Sequence, residues 1–80
     1  MENRFQETFE KKNYTVEGFP KGEYEACIFK HCDFAQLDLS EYSFIDCQFQ
    51  DCNLSLVKMG NTKWQHVTFE NCRLQGLHFE

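Results

Sequence analysis

This 80-residue chain contains five cysteines, whose spacing is compatible with metal binding or disulfide formation. Cys27 and Cys32 form one Cys-x4-Cys pair, and Cys47 and Cys52 form a second, which is a spacing compatible with zinc ligands. The fifth, Cys72, makes the number odd, so the cysteines do not form the closed set of disulfides that is typical of a small secreted protein. A zinc site and a set of buried thiols are both open at this point.

Three histidines could act as general bases only if a suitable acid or nucleophile lay beside them. They are His31, His66 and His78. In columns with a spacing of twenty residues, His31 aligns with Asp51 and Asn71, and His66 aligns with Asp46. A pair such as His31 and Asp51 is more often a solvated surface pair than a catalytic one. The sequence also lacks a nucleophile motif and a glycine-rich phosphate loop. We therefore expect no catalytic residues, no cofactor and no enzymatic activity.

An apolar residue recurs at every fifth position from residue 24 onward, and this pattern must position those side chains. The series is Tyr24, Phe29, Phe34, Leu39, Phe44, Phe49, Leu54, Met59, Trp64, Phe69, Leu74 and Phe79. A second series lies two residues before each member from Phe29 onward. It contains Cys27, Cys32, Leu37, Tyr42, Cys47, Cys52, Val57, Thr62, Val67, Cys72 and Leu77. A period of five fits neither the helical period of about 3.6 nor the strand period of about 2. It therefore indicates a repeat architecture.

Blocks of five residues within this stretch resemble the pentapeptide-repeat family. Its unit is a small or apolar residue, Asp or Asn, Leu or Phe, and two polar positions, as in residues 32–36, 37–41 and 52–56. The resemblance covers residues 24–80. It implies a right-handed quadrilateral β-helix in which four pentapeptides make one coil, and hence a second period of twenty residues.

Side chains twenty residues apart should then stack in columns, and the sequence passes this check. The columns are Phe29, Phe49, Phe69; Cys32, Cys52, Cys72; Leu37, Val57, Leu77; Tyr24, Phe44, Trp64; and Cys27, Cys47, Val67. We predict an all-β fold: a right-handed quadrilateral parallel β-helix, that is, a pentapeptide-repeat solenoid of nearly three coils. The cysteines then fill inward slots as small buried hydrophobes. Because a column of thiols does not converge on a tetrahedral centre, we expect no metal site.

Residues 1–23 depart from the repeat and are predicted to be an irregular N-terminal cap on the solenoid of residues 24–80. Phe9, Tyr14 and Phe19 keep the five-residue spacing, but the positions two before them are the charged Glu7, Lys12 and Glu17. We therefore expect no regular coil here. The pattern favours a short strand over residues 8–15 and a turn over residues 18–22, with Phe5, Phe9 and Tyr14 covering the end of the solenoid. A helix over residues 3–12 is the alternative.

The inward column of Tyr42 and Thr62 is the least regular part of the repeat. Tyr42 is larger than this slot usually accepts, and Thr62 is polar. We expect a distorted side with a loop or an unusual turn between residues 57 and 64, or a Tyr42 hydroxyl that reaches solvent.

The formal charge of −5 and the isoelectric point near 5.1 argue against direct binding of nucleic acid, which needs a basic surface. Acidic residues concentrate in the first half, and we predict an acidic interaction face formed by Glu25, Asp33, Asp38, Glu41, Asp46 and Asp51. Asp33, Asp38 and Asn53 also occupy the position of the repeat where a short polar side chain bonds nearby backbone at a corner.

The chain has no apolar run long enough to cross a bilayer and no signal-peptide pattern, so we expect a cytoplasmic protein without a membrane partner. The sequence of residues 77–80 keeps the five-residue pattern, and we expect no closing helix there. An uncovered last coil predicts either an end-to-end homodimer through Leu74, Leu77 and Phe79 or the N-terminal part of a longer repeat array.

These features favour a non-catalytic module that binds an unidentified protein partner through its outer faces. The family resemblance implies an alternative, a DNA mimic that binds and protects DNA gyrase or another topoisomerase, as quinolone-resistance proteins of the family do. The net negative charge favours the mimic. The short length and the basic residues after residue 52 count against it.

Overall fold

The computed structural model describes residues 2–76, whose strands form two four-stranded parallel sheets. The first sheet contains β1 (Glu2–Phe5), β3 (Gly22–Glu25), β5 (Ser43–Ile45) and β7 (Lys63–Gln65), in that order. The second contains β2 (Thr8–Glu10), β4 (Ile28–Lys30), β6 (Gln48–Gln50) and β8 (Thr68–Glu70). Each strand from β1 to β6 pairs in parallel with the strand one coil later along the chain.

The pairing register is twenty residues throughout, as the repeat requires. Tyr24 lies opposite Phe44, and Phe29 lies opposite Phe49. Single bridges define the two other sides of the coil: Asn13, Asp33, Asn53 and Arg73 on the third, and Asp38 and Lys58 on the fourth. The prediction of an all-β, four-sided solenoid is confirmed. No helix among the described residues is long and apolar enough to cross a bilayer.

The corners of the coil are formed by residues in the left-handed backbone conformation, at every fifth position except Val16 and Lys21. Their φ angles lie between 52° and 68° at Gln6, Lys11, Ala26, His31, Gln36, Glu41, Asp46, Asp51, Leu56, Asn61, His66 and Asn71. This conformation costs an L-residue about 1–2 kcal/mol, so each of these corners stores strain. The packing inside the coil must offset it.

Stacked aromatic rings fill that interior. Phe9, Phe29, Phe49 and Phe69 form one continuous column, with ring centroids 5.1, 4.7 and 5.3 Å apart and planes within 18° of parallel. Rings on adjacent sides of one coil instead meet edge to face, as Phe29 and Phe34 do at 5.6 Å. Both arrangements are favourable for aromatic pairs and add to the free energy gained by burial.

The side that contains Tyr42 and Thr62 is regular, so the expected loop or unusual turn is absent. Residues 35–42 and 55–62 have the same sequence of turns and bridges. The Thr62 hydroxyl donates to the Leu39 carbonyl at 2.7 Å, and the Tyr42 hydroxyl donates to the Phe19 carbonyl. Tyr42 is only 6% exposed, so its hydroxyl bonds inside the protein and does not reach solvent.

The N-terminal segment also differs from the prediction, because it contributes the strands of a further coil. β1 pairs with β3 and β2 pairs with β4, so neither the absence of a regular coil nor the alternative helix over residues 3–12 is correct. The strand expected over residues 8–15 exists only as Thr8–Glu10. The boundary expected between residues 23 and 24 stays a prediction, and both sheets run across it. Charged side chains are tolerated because Lys12 and Glu17 are exposed.

Among the described residues, the regular coil is interrupted in the connection between β2 and β3. The four-residue helix α1 (Tyr14–Glu17) lies here. Its N-cap is Asn13, whose side chain accepts from the Thr15 amide at 3.1 Å, and its C-cap is Gly18, with φ of 82°. The hydroxyls of Tyr24 and Tyr42 donate to the carbonyls of Pro20 and Phe19 and hold the connection in place. The connection therefore lies over the end of the ring stack. Phe5 takes no part in this cover, contrary to the prediction, because it lies on β1 and is 59% exposed.

The two alanines of the chain provide a test of the corner strain. Ala26 is half-buried at a left-handed corner, whereas Ala35 is half-buried without a positive φ. Ala26→Gly should raise the free energy of unfolding by up to about 1 kcal/mol, because the relief of strain exceeds the added flexibility of the unfolded chain. Ala35→Gly should lower it by about 0.5–1 kcal/mol. Urea unfolding measures both, and equal effects of the two substitutions would contradict the corner assignment.

Candidate functional site

The cysteines lie inside the coil, where each thiol donates to a backbone carbonyl of the preceding coil. Cys47 donates to Tyr24 at 3.1 Å and Cys52 donates to Phe29 at 3.3 Å, each 23 residues back. Cys27, Cys32 and Cys72 make the same contact at 3.7, 3.5 and 3.1 Å, respectively. Across residues 2–76 the structure has no group of three or more His, Cys, Asp or Glu side chains that could hold a metal ion.

Burial makes most of these thiols poor nucleophiles. It raises the pKa of Cys47 to about 11, and it also raises the pKa of Cys27. The neighbouring Cys32 thiol and burial raise the pKa of Cys52. Because the thiolate is the reactive form, these cysteines should react only slowly with reagents from solution at neutral pH. Cys72 is the exception in accessibility, since it is only partly buried.

Two histidine–aspartate pairs form at adjacent corners of the coil, as the spacing of twenty indicated. His66 Nδ1 lies 3.2 Å from Asp46 Oδ1, and His31 Nε2 lies 3.8 Å from Asp51 Oδ2. All four side chains are 46–76% exposed. Exposed pairs of this kind contribute about 0–1 kcal/mol and lie in no cleft, so they are surface pairs. The third histidine, His78, lies outside the described residues.

The six carboxylates predicted to form one acidic face are instead spread around the coil. Glu25 belongs to β3 on the first side, Asp33 bridges on the third, and Asp38 bridges on the fourth. Glu41, Asp46 and Asp51 are at three different corners. Each corner carboxylate also has a partner, since Lys21 lies 3.6 Å from Glu41 and the two histidines face the aspartates. A single face built from these six residues is therefore incorrect, and their role in binding stays a prediction.

Asp33, Asp38 and Asn53 have the structural role expected of their position in the repeat. Each side-chain oxygen accepts from the backbone amide two residues later, at 2.9 Å for Asp33 and Asp38 and 3.1 Å for Asn53. The Ser40 hydroxyl and amide hold the pKa of Asp38 below its usual value. These bonds close the turns of the third and fourth sides.

A shallow groove on the first sheet brings together residues that the sequence analysis did not group. Asn3, Phe5, Glu23 and Glu25, here called the β3 patch, line it together with Arg4, and its volume is about 290 Å³. Phe5 pairs with Glu25 across β1 and β3 and is 59% exposed. Neither Glu23 nor Glu25 has an ion-pair partner among residues 2–76. The register of twenty would have found the patch if residues 1–23 had been treated as a coil.

The two ends of the solenoid differ. Over the N-terminal end lies a depression of about 320 Å³, whose lining includes Phe9 and Phe19 together with the charged Lys12 and Glu17. On the last described coil, Phe69 is 37% exposed and Leu74 is 38% exposed. Leu77 and Phe79, the other residues predicted for an end-to-end contact, lie outside the described residues.

Comparison with protein families agrees with this geometry. A family model for pentapeptide repeat regions matches residues 23–80. The chain belongs to the pentapeptide-repeat family. The match includes every column of the coil from β3 onward, which explains why the residues of one column are so alike.

Among solved structures, the chain is similar to trypsin-treated QnrB1, a plasmid-mediated fluoroquinolone resistance protein. The TM-score is 0.66 at 21% sequence identity, which supports a shared fold alone. The alignment covers 99% of this chain and 48% of QnrB1, so the chain spans about half the length of that protein. A search of curated protein sequences finds no match.

The buried thiols predict a loss of stability at alkaline pH. The pKa of Cys47 is about 11 in the folded protein and about 8.5 in an unfolded chain, so the unfolded state loses its proton first as the pH rises. The free energy of unfolding should therefore fall by roughly 2–3 kcal/mol between pH ~9 and pH ~11. In Cys47→Val, which the column accepts because Val67 follows in it, the decline should be smaller by that amount. Parallel pH profiles of the two proteins, measured by urea unfolding, would show that Cys47 does not titrate as described.

Proposed function

We propose that this chain is a non-catalytic protein-interaction module and that the β3 patch is its recognition surface. The observation that carries the proposal is the 59% exposed Phe5 beside the unpaired carboxylates of Glu23 and Glu25. Exposed aromatic residues next to polar groups are typical of the residues that dominate binding energy at protein interfaces. The complementary partner would present an apolar pocket bordered by Lys or Arg.

The strand that carries the two carboxylates is ordered by backbone pairing, which favours recognition. β3 is paired on both sides, with β1 and with β5, and its inward Tyr24 is 2% exposed. The outward residues can therefore change without altering the core. A surface that is already ordered loses little conformational entropy on binding, so more of the contact energy contributes to affinity.

The remaining parts of the proposal concern catalysis and location. The apolar interior is filled by ring columns, which supports a role without catalysis. The described structure has five free cysteines, which a reducing compartment keeps in that state, and this supports a cytoplasmic location.

Charge reversal within the patch should abolish partner binding. The variant Glu23→Lys and Glu25→Lys should lose at least ten-fold in the amount of partner recovered from a cell lysate, and Phe5→Ala should show a similar loss, because an interface anchor contributes about 2 kcal/mol or more. The matched control is Glu41→Lys with Asp51→Lys, which makes the same change in net charge elsewhere on the coil. Quantitative mass spectrometry of the recovered proteins provides the measurement. Equal losses in both double variants would contradict the patch and indicate a general charge effect.

A topoisomerase partner is the second candidate, favoured by the net charge of −5 and by the likeness to a fluoroquinolone resistance protein. In this account the chain would occupy the DNA site of gyrase as an acidic mimic of duplex DNA. Against it, the carboxylates are spread around the coil and the described chain extends only 28 Å, whereas one turn of duplex is about 34 Å. A homodimer through the end that bears Phe69 and Leu74 would supply the missing length. Sedimentation that shows only monomer at high concentration would argue against that dimer.

A gyrase supercoiling assay separates the two candidates. If the chain is a mimic, micromolar protein should restore supercoiling in the presence of a fluoroquinolone, and the Glu23→Lys and Glu25→Lys variant should restore less. Without the drug, an excess of the mimic should inhibit supercoiling, because it competes with DNA for the same site. No effect in either condition would eliminate the topoisomerase role and leave the general interaction module.

A further inference from the structure

Three thiols form a column along one inner side of the solenoid, and its members differ in access to solvent. Cys32 and Cys52 are each 2% exposed, whereas Cys72, on the last described coil, is only partly buried. All three donate to carbonyls of the preceding coil, and for Cys72 the acceptor is Phe49 at 3.1 Å. The column therefore places one partly buried cysteine directly after two that are protected from solvent.

Backbone pairing holds Cys52 and Cys72 opposite each other. The Arg73 amide donates to the Cys52 carbonyl at 3.0 Å, and Asn53 and Arg73 form a parallel bridge. Neighbouring parallel strands are about 4.8 Å apart, which is within the range of about 4.4–6.8 Å for the Cα atoms of a disulfide. Both side chains point to the same interior. A disulfide also needs the Cβ atoms about 3.8 Å apart, so a small approach of Cys72 toward Cys52 is required.

We propose that Cys72 is a modification site for hydrogen peroxide and that Cys52 resolves the oxidised sulfur as a disulfide between neighbouring coils. This site is independent of the β3 patch, which lies on another side of the coil. The disulfide would close a loop of twenty residues and fasten the last described coil to the one before it. It would thus stabilise the part of the solenoid where Phe69 and Leu74 are exposed.

The chemistry balances with peroxide as the only oxidant. The Cys72 thiolate attacks one peroxide oxygen and breaks the O–O bond, which gives the sulfenic acid of Cys72 and a hydroxide that leaves as water with the thiol proton. The Cys52 sulfur then attacks the Cys72 sulfur, the S–O bond breaks, and the oxygen leaves as a second water with the Cys52 proton. Two thiols lose two electrons, and one peroxide becomes two waters.

Access to solvent selects this pair over the others. Cys32 and Cys52 are also neighbours in the column, but each is only 2% exposed, so neither is open to attack by peroxide. Cys27 and Cys47 stack in a second column, but both are fully buried and the next member of that column is Val67. Peroxide has no accessible sulfur there. Cys32 and Cys72 are two coils apart, with Cys52 between them. Cys32 is therefore too far away to resolve Cys72 directly. The chain thus contains its own controls, one in each column.

The test is mass spectrometry of the full chain after exposure to hydrogen peroxide at pH 8. The wild type should lose about 2 Da, and digestion without reductant should yield one peptide pair that joins Cys52 to Cys72. The midpoint of thermal unfolding should rise after oxidation and return after addition of dithiothreitol. Cys32→Ser and Cys47→Ser should behave as the wild type. Cys52→Ser should accumulate a sulfenic acid at Cys72 that dimedone traps, and Cys72→Ser should show neither product.

Three results would overturn the proposal. The first is oxidation of wild-type Cys72 to sulfinic or sulfonic acid without any loss of mass. The second is a disulfide that joins Cys72 residues of two chains. The third is a disulfide that joins Cys27 to Cys47, or Cys32 to Cys52, in its place. Because each of these is seen in the wild type, the test stands even if a serine variant fails to fold.

Discussion

The stacking of each residue on the residue twenty positions later is the constraint on which this structure depends. It pairs the strands in parallel, places Phe29 against Phe49, and brings the Cys47 thiol to the Tyr24 carbonyl. The same register forms the surface pair of His66 with Asp46. The strain of a left-handed corner in nearly every repeat persists because the ring columns inside the coil offset it.

Inward positions could be predicted from the sequence because the interior of the coil is narrow and its demands are the same in each repeat. The errors have a common physical origin. Polar or charged residues at inward positions, such as Lys12 and Thr62, suggested that the coil was interrupted there. In the structure Lys12 is exposed over the end of the coil, and Thr62 donates to the Leu39 carbonyl. Backbone pairing continues wherever the polar group finds water or a carbonyl.

The surface was harder to predict, because the repeat specifies that a residue points outward but leaves its chemistry free. Counting acidic residues along the chain could not assign them to sides, and the six candidates are spread around the perimeter. The β3 patch was missed because Phe5 lies in a segment that had been excluded from the coil, although it is twenty residues from Glu25. Such a surface is found by aligning the sequence in rows of twenty residues, which brings Phe5 beside Glu25, and not from composition.

Insertion of whole or partial coils tests the central claim most directly. The coil is not fourfold symmetric, since two of its sides carry strands and two carry turns closed by residues such as Asp38. Duplication of residues 37–56 adds one whole coil and keeps every column. Duplication of residues 52–56 adds one side only. It keeps the inward pattern of five, but it places residues of the strand sides on the turn sides. The free energy of unfolding from urea titration should be at least that of the wild type for the first protein and far lower for the second. Equal stability of the two would show that the period of five alone determines the fold.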